Sequence, residues 1–126
     1  MTASTASDAH RRAGIAAHAA DDKKGEDIRV VDVGEILSIA EVFVFVSASN
    51  TRLVRTIVDE IELALKLADD EGPRSIEGLD DSTWVLMDYG DVIVHVFLAE
   101  IRAFYDLDRL WADAPTVEWT ALPAYT

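Results

Sequence analysis

Apolar positions recur along this chain at two spacings, and each spacing predicts a kind of element. Between Thr51 and Asp69, Val54, Ile57, Val58, Ile61, Leu65 and Ala68 repeat at the interval that lines one face of an α-helix. Arg52, Asp59, Glu62 and Lys66 fall mostly on the opposite side. The polar run Ser47-Ala48-Ser49-Asn50-Thr51 offers helix-capping side chains just before it, and Glu71-Gly72-Pro73 ends it. Elsewhere the apolar runs are short and rich in β-branched residues. Ile28, Val30, Val31 and Val33 form a first strand, and Val42–Val46 (Val-Phe-Val-Phe-Val) a second, each apolar on both faces and so covered on both sides. Ser75–Glu77 reads as a short strand. Trp84–Asp88 and Val92–Leu98 are two more, joined through the tight hairpin Asp88-Tyr89-Gly90-Asp91. Glu100–Tyr105 reads as a short helix and Leu107–Trp111 as a further turn.

The ends carry weaker patterns. Met1–Ser7 reads as a disordered lead-in. A helix capped by Asp8 follows, with Ala13, Ile15, Ala16, Ala17, Ala19 and Ala20, and closes at Lys23-Lys24-Gly25. Its small side chains predict light packing. Gly34–Ala40 is a short connection. After Pro115 the segment 116–126 holds Trp119 but little periodicity and reads as a tail. The organisation predicted is one domain over residues 8–115. Its class is α/β, with a mixed sheet of about five strands flanked by helices: the hairpin pair must be antiparallel, and a strand–helix–strand crossover parallel and right-handed.

Composition narrows the function classes. The chain has 126 residues, 50% of them hydrophobic and 28% charged, the balance of an ordinary globular protein. With 24 acidic against 11 Lys and Arg residues the formal charge is −13. Such a surface repels phosphate backbones, so direct nucleic-acid binding is not expected, and a basic protein is the partner this charge favours. There is no cysteine, which excludes disulfides and thiolate metal sites. No apolar run is long enough to cross a bilayer and the start carries no signal-peptide core, so no membrane association and a cytosolic location are expected.

Candidate chemistry is sparse. The glycines stand singly and form no phosphate loop, and His10, His18 and His95 have no metal-ligand spacing. Asp88 and Asp91 are the best carboxylate pair; they fit a metal or acid–base site, a basic partner, or simply a turn, where Asp is common. His95 lies mid-strand with Ile93 and Phe97 on its face, a placement more usual for a hydrogen-bonded core or edge residue than for a ligand. Arg52 and Arg55 oppose the helix dipole at the start of the main helix, which marks either a contact site or ion pairs with Asp59, Glu60 or a neighbouring acid. Trp84, Tyr89, Phe104, Tyr105 and Trp111 are aromatics of the kind enriched at interfaces.

Four segments together resemble the Iojap family, the ribosomal silencing factors. They are Asp22-Lys23-Lys24-Gly25-Glu26-Asp27-Ile28, Ile76-Glu77-Gly78, the block from Trp84 to Phe97, and the closing block from Phe104 to Pro115. The resemblance spans roughly Ile15 to Pro115. It departs at Glu41-Val42, where the family usually has Asp and an aromatic, and at Ser47-Ala48-Ser49-Asn50. It implies a nucleotidyltransferase-like fold without that fold's catalytic signature, no catalytic residue, cofactor or metal, and a homodimer. It also implies a role: binding the large ribosomal subunit through its fourteenth ribosomal protein, which blocks joining of the small subunit and lowers translation.

The docking surface expected for that partner is the hairpin plus the closing block: Trp84, Asp88, Tyr89, Asp91, His95 and Asp106. Tyr89 would sit at an exposed tip, Trp84 and Asp88 on one strand face, and the three acids at the rim. Two alternatives stand. One is a nucleotidyltransferase-like enzyme using Asp88, Asp91 and Asp106 with magnesium, which requires those acids to converge. The other is a large-subunit assembly factor.

Overall fold

The structure, a computed structural model, describes residues 4–34 and 40–124. In chain order it holds α1 (Ser4–Asp22), β1 (Glu26–Asp32), β2 (Val42–Ala48), α2 (Thr51–Asp69), β3 (Ser75–Glu77), β4 (Trp84–Asp88), β5 (Val92–Leu98), α3 (Ala99–Tyr105), α4 (Leu107–Leu110) and β6 (Thr116–Val117), followed by a 3-10 turn at Trp119–Ala121. The strands form one mixed sheet of six, in the order β3-β4-β5-β2-β1-β6. Only the central β2–β5 pair is parallel; every other pairing is antiparallel.

The period of two splits the sheet into two apolar layers. Val30, Val42, Val44, Val46, Val85, Met87, Val92, Val94 and Val96 face α1 and α2. Val31, Phe43, Phe45 and Phe97 point the other way and are covered in part by Ile101, Leu107 and Trp111 from α3, α4 and the turn beyond. Main helix α2 has the bounds its periodicity predicts. Asn50 caps it, its Oδ1 accepting from the Leu53 N–H at 2.8 Å, and Val54, Ile57, Val58, Ile61 and Leu65 are buried.

Three expectations change. Helix α1 starts at Ser4 rather than at Asp8, so Ser4–Ser7 belong to a helix; Met1–Ala3 lie outside the described residues, as does most of the connection read over Gly34–Ala40. Nor is α1 lightly packed. Ala9, Ala13, Ile15, Ala16, Ala17, Ala19 and Ala20 are all buried, because small side chains let a helix backbone approach its neighbours closely. The third is the segment after Pro115. β6 pairs with β1 as an extra strand, making six where about five were expected. Leu122 lies so close to α1 that a Cβ at Gly14 would meet its Cβ at 2.6 Å. Trp119 stacks edge-on against His18 and donates to the Ile28 carbonyl at 3.3 Å. A two-residue strand is too short to leave a periodic signal, which is why it reads as a tail.

Two buried polar groups fix the layer beneath α3 and α4. Arg102, on α3, donates from Nε and Nη2 to both Asp108 carboxylate oxygens at 2.8 Å, and from Nη1 to Ser47 Oγ at 2.8 Å and the Asp27 carbonyl at 2.6 Å. Its guanidinium also lies 5.5 Å from the Phe97 ring centre and 5.8 Å from that of Phe45. Arg102 holds the Asp108 carboxyl below the usual carboxylate range, helped by Arg29. His95 sits among Phe43, Phe45 and Phe97, and burial alone pushes its imidazole down from 6.5 to about 4.

Both groups yield measurable outcomes. Lysine keeps the charge of Arg102 but not its fork, so Arg102→Lys should cost about 1–3 kcal/mol in urea unfolding and speed amide exchange in α3 and α4 first. For His95 the folded protein keeps the ring neutral while the unfolded chain takes up a proton below about 6.5. The unfolded state then binds more protons, so stability falls as pH drops from about 6.5 towards 4. His95→Gln, which does not titrate, should flatten that part of the urea-midpoint profile relative to the unaltered protein.

Candidate functional surface

On the face of the sheet away from α1 and α2, β4 presents Trp84, Leu86 and Asp88, and β5 presents Ile93 and His95 beside them, with Leu86 opposite His95 and Asp88 opposite Ile93. Leu86, Asp88 and Ile93 are half-buried, so this part of the face is not fully covered. Trp84 is half-buried and held in place: its indole N–H donates to His95 Nδ1 at 3.2 Å. An indole nitrogen only donates, so the ring proton of neutral His95 lies on Nε2, which has no partner among the described residues.

Helices α3 and α4 extend this face outward. Tyr105 packs against Trp84 with ring centres 5.4 Å apart, Phe104 meets Tyr105 edge-on at 5.0 Å, and Trp111 meets Phe43 at 5.0 Å. Phe104 is 79% exposed, Leu110 71% and Tyr105 52%. Large side chains this exposed make this side a candidate contact surface. Asp106, between the two helices in the left-handed region at φ 51°, is exposed beside them, 3.7 Å from Arg109.

Set against the expected surface, Trp84, Asp88, His95 and Asp106 lie on this side. His95 supports Trp84 from below as a buried residue. Tyr89 departs from expectation. It is 4% exposed, with its hydroxyl unpartnered among the described residues and burial pushing the phenol upward. The alternation of β4 simply continues past the strand end, so Val85, Met87 and Tyr89 share the helix-facing side, and the turn is made at half-buried Gly90, at φ 92° beside the Arg74 side chain. Asp91 departs as well. It is an ion-pair partner of the buried Arg12, which also binds Glu71 and donates to the Tyr89 carbonyl at 3.3 Å. Asp91 is thus spent on fastening the hairpin to α1.

Asp88 accepts from the Gly90 N–H at 2.8 Å, the turn role open to it. The magnesium site imagined for Asp88, Asp91 and Asp106 does not assemble: Asp88 and Asp91 flank the hairpin, whereas Asp106 follows Tyr105, which packs on Trp84 at the far end of β4. Among the described residues no group of three or more His, Asp or Glu is placed to hold a metal. Among the described residues Arg55 forms none of the ion pairs considered for it; it donates to Ser82 Oγ at 2.7 Å and to the Leu79 and Asp80 carbonyls, pinning the loop before β4. The residues that sequence reasoning left out of the surface are Leu110, whose exposure periodicity alone does not reveal, and Phe104, Tyr105 and Trp111, noted only as interface-type aromatics. Arg102 carries no signal in the sequence, since a single Arg in a short helix looks like a solvated side chain.

Comparison with known proteins agrees with this architecture. Residues 6–125 match the family model described as "Ribosomal silencing factor during starvation". A ribosomal silencing factor of Bacillus subtilis is 41% identical over 106 residues, covering 82% of this chain and 87% of that one. The mouse protein named "Mitochondrial assembly of ribosomal large subunit protein 1" is 30% identical over 92 residues, covering 71% of this chain and 40% of that one. A crystal structure of a Chromobacterium violaceum protein superposes with a TM-score of 0.78 at 31% identity, covering 82% of this chain and 86% of that one. With its mixed sheet, its closing block folded back over Phe45 and Phe97, and a match over nearly its whole length, the chain belongs to the ribosomal silencing factor family.

Proposed function

We propose that this protein acts by binding rather than by catalysis: its aromatic face docks on the fourteenth protein of the large ribosomal subunit and sterically prevents the small subunit from joining. The observation that carries the reading is that Phe104 and Tyr105, packed in series onto Trp84, are left exposed, as is Leu110 on the neighbouring α4, on a chain of net charge −13. Apolar anchors supply the affinity. Asp106 and Asp88 lie at the edges, where charges raise the association rate and select a basic partner. Such a partner is typical of ribosomal proteins, and a ribosome-bound role places the protein in the cytoplasm. A second reading, a part in large-subunit assembly, is favoured by the name of the mouse relative and uses the same surface. The homodimer implied by the resemblance is a separate proposal, checked by light scattering of the purified chain.

Co-sedimentation through a sucrose gradient should find the protein with isolated large subunits and not with small ones. Light scattering should show slower joining of the two subunits when it is present. Binding to both subunits, or to neither, would sink the reading; binding without slower joining would leave the assembly role.

Phe104→Ala should weaken large-subunit binding about tenfold or more while leaving the circular-dichroism melt unchanged, because Phe104 makes little contact with the core. Tyr89→Phe, which removes only a buried hydroxyl, should leave binding as it was. Affinity should also fall as salt rises, since ions screen rim charges beyond about 8 Å at physiological strength.

A further inference from the structure

A second surface lies on the other side of the sheet, independent of the aromatic face. Between the C-terminal half of α2, the end of α1 and the C-terminal segment runs an open groove of about 650 Å³, floored by Ala19, Ala64 and Ala68, flanked by Leu63 and Leu67, and also lined by His18 and Ala124. Leu63 is 52% exposed and Leu67 77%. Neither belongs to the stripe that α2 buries, which is Val54, Ile57, Val58, Ile61 and Leu65. Helix α2 therefore carries a second apolar patch along the groove, with Ala64 and Leu67 one turn apart, Leu63 beside them and the acidic Glu60 one turn before Ala64.

Charge decides what can occupy it. The rim carries Asp21, Asp22 and Glu60, and Asp59 and Glu62 flank Leu63 on its far side. Asp21 and Asp22 stand in the last turn of α1, which contains no basic residue, so their charges add to the negative end of the helix dipole. Lys23 and Lys24 follow in the turn but do not line the groove, and Lys66 pairs with Asp70 at 3.1 Å. A second copy of this chain would bring the same acids against these, and a nucleic acid or an anionic membrane would be repelled likewise.

We propose that this groove docks a basic amphipathic helix of a partner protein, with Leu63 and Leu67 as its apolar contacts and Asp21, Asp22 and Glu60 pairing with Lys or Arg side chains of the incoming helix. Because α1 and α2 cover the face opposite Trp84 and Phe104, both surfaces can be occupied at once. A chain of this size would then bridge two partners.

The probe is a labelled short helical Leu/Lys peptide with its leucines on one face, titrated by fluorescence anisotropy against the full chain. A scrambled peptide of the same composition and a Leu/Glu analogue serve as controls. In nitrogen-15 NMR the Leu/Lys peptide should shift amides of the last turn of α1 and of residues 60–68, leaving β4 and α3 unmoved. Leu67→Gln changes no charge and should weaken binding about tenfold. Glu60→Gln combined with Asp22→Asn should weaken it and reduce its salt dependence, and all three changes should leave large-subunit binding intact. Equal affinity for the scrambled peptide, shifts confined to the aromatic face, or no effect of Leu67→Gln would overturn the proposal. A concentration-dependent dimer abolished by Leu67→Gln would also overturn it, by assigning the groove to a second copy.

Discussion

A guanidinium taken out of water must find acceptors for its N–H groups, and Arg102 meets that requirement with four: two carboxylate oxygens of Asp108, the Ser47 hydroxyl and the Asp27 carbonyl. These come from three parts of the chain, so one buried cation ties α3 and α4 to the ends of β1 and β2. The two helices are too short to hold themselves, since helix formation is cooperative and seven- and four-residue segments are marginal in water. Their position is imposed by the fork of Arg102 and by Ile101 and Leu107 beneath it. The exposed Phe104, Tyr105 and Leu110 inherit their arrangement from that anchor. Asp27 takes part through its backbone, at φ 49° beside an irregularity in the β1–β2 register, which turns its carbonyl to Arg102.

The other face is held by a different principle. There the contact between α1 and the sheet is made mostly of alanine and valine, and its strength comes from close approach rather than from large side chains. Polar fastenings sit at the periphery, where Arg12 joins α1 to Glu71 and Asp91, and Arg11 joins it to Asp69 at the end of α2. The result is a sheet with one closed, finely packed side and one side on which aromatic rings remain partly uncovered.

This difference also explains what was legible in the sequence. Strong periodicity over bulky residues located α2, β4 and β5 to the residue, because each apolar position there reports a buried contact. The alanine-rich α1 was undervalued because close packing leaves no signature in hydrophobic bulk. β6 was missed because its two residues are recruited by pairing with β1 and not by their own pattern. Tyr89 was misplaced by treating it as a turn residue when the strand's alternation already carried it inward. Of the candidate surface, Trp84, Asp88, His95 and Asp106 are legible as residues. The placement of α3 and α4, which present Phe104, Tyr105 and Leu110, depends on Arg102, whose partners lie 6, 55 and 75 positions away and leave no local trace.

The sheet is also bounded in a way that limits how it can be joined. Its outermost strands are β3 and β6, of three and two residues, while the long strands β2 and β5 lie at its centre. A strand from another chain would find only a few free backbone groups to pair with at either border. Extension of the ladder into fibrils or domain-swapped chains is discouraged by the same brevity. Side chains on the two broad faces are the larger surfaces left for contact, and a surface read through side chains can be retuned by single substitutions without disturbing the ladder beneath it.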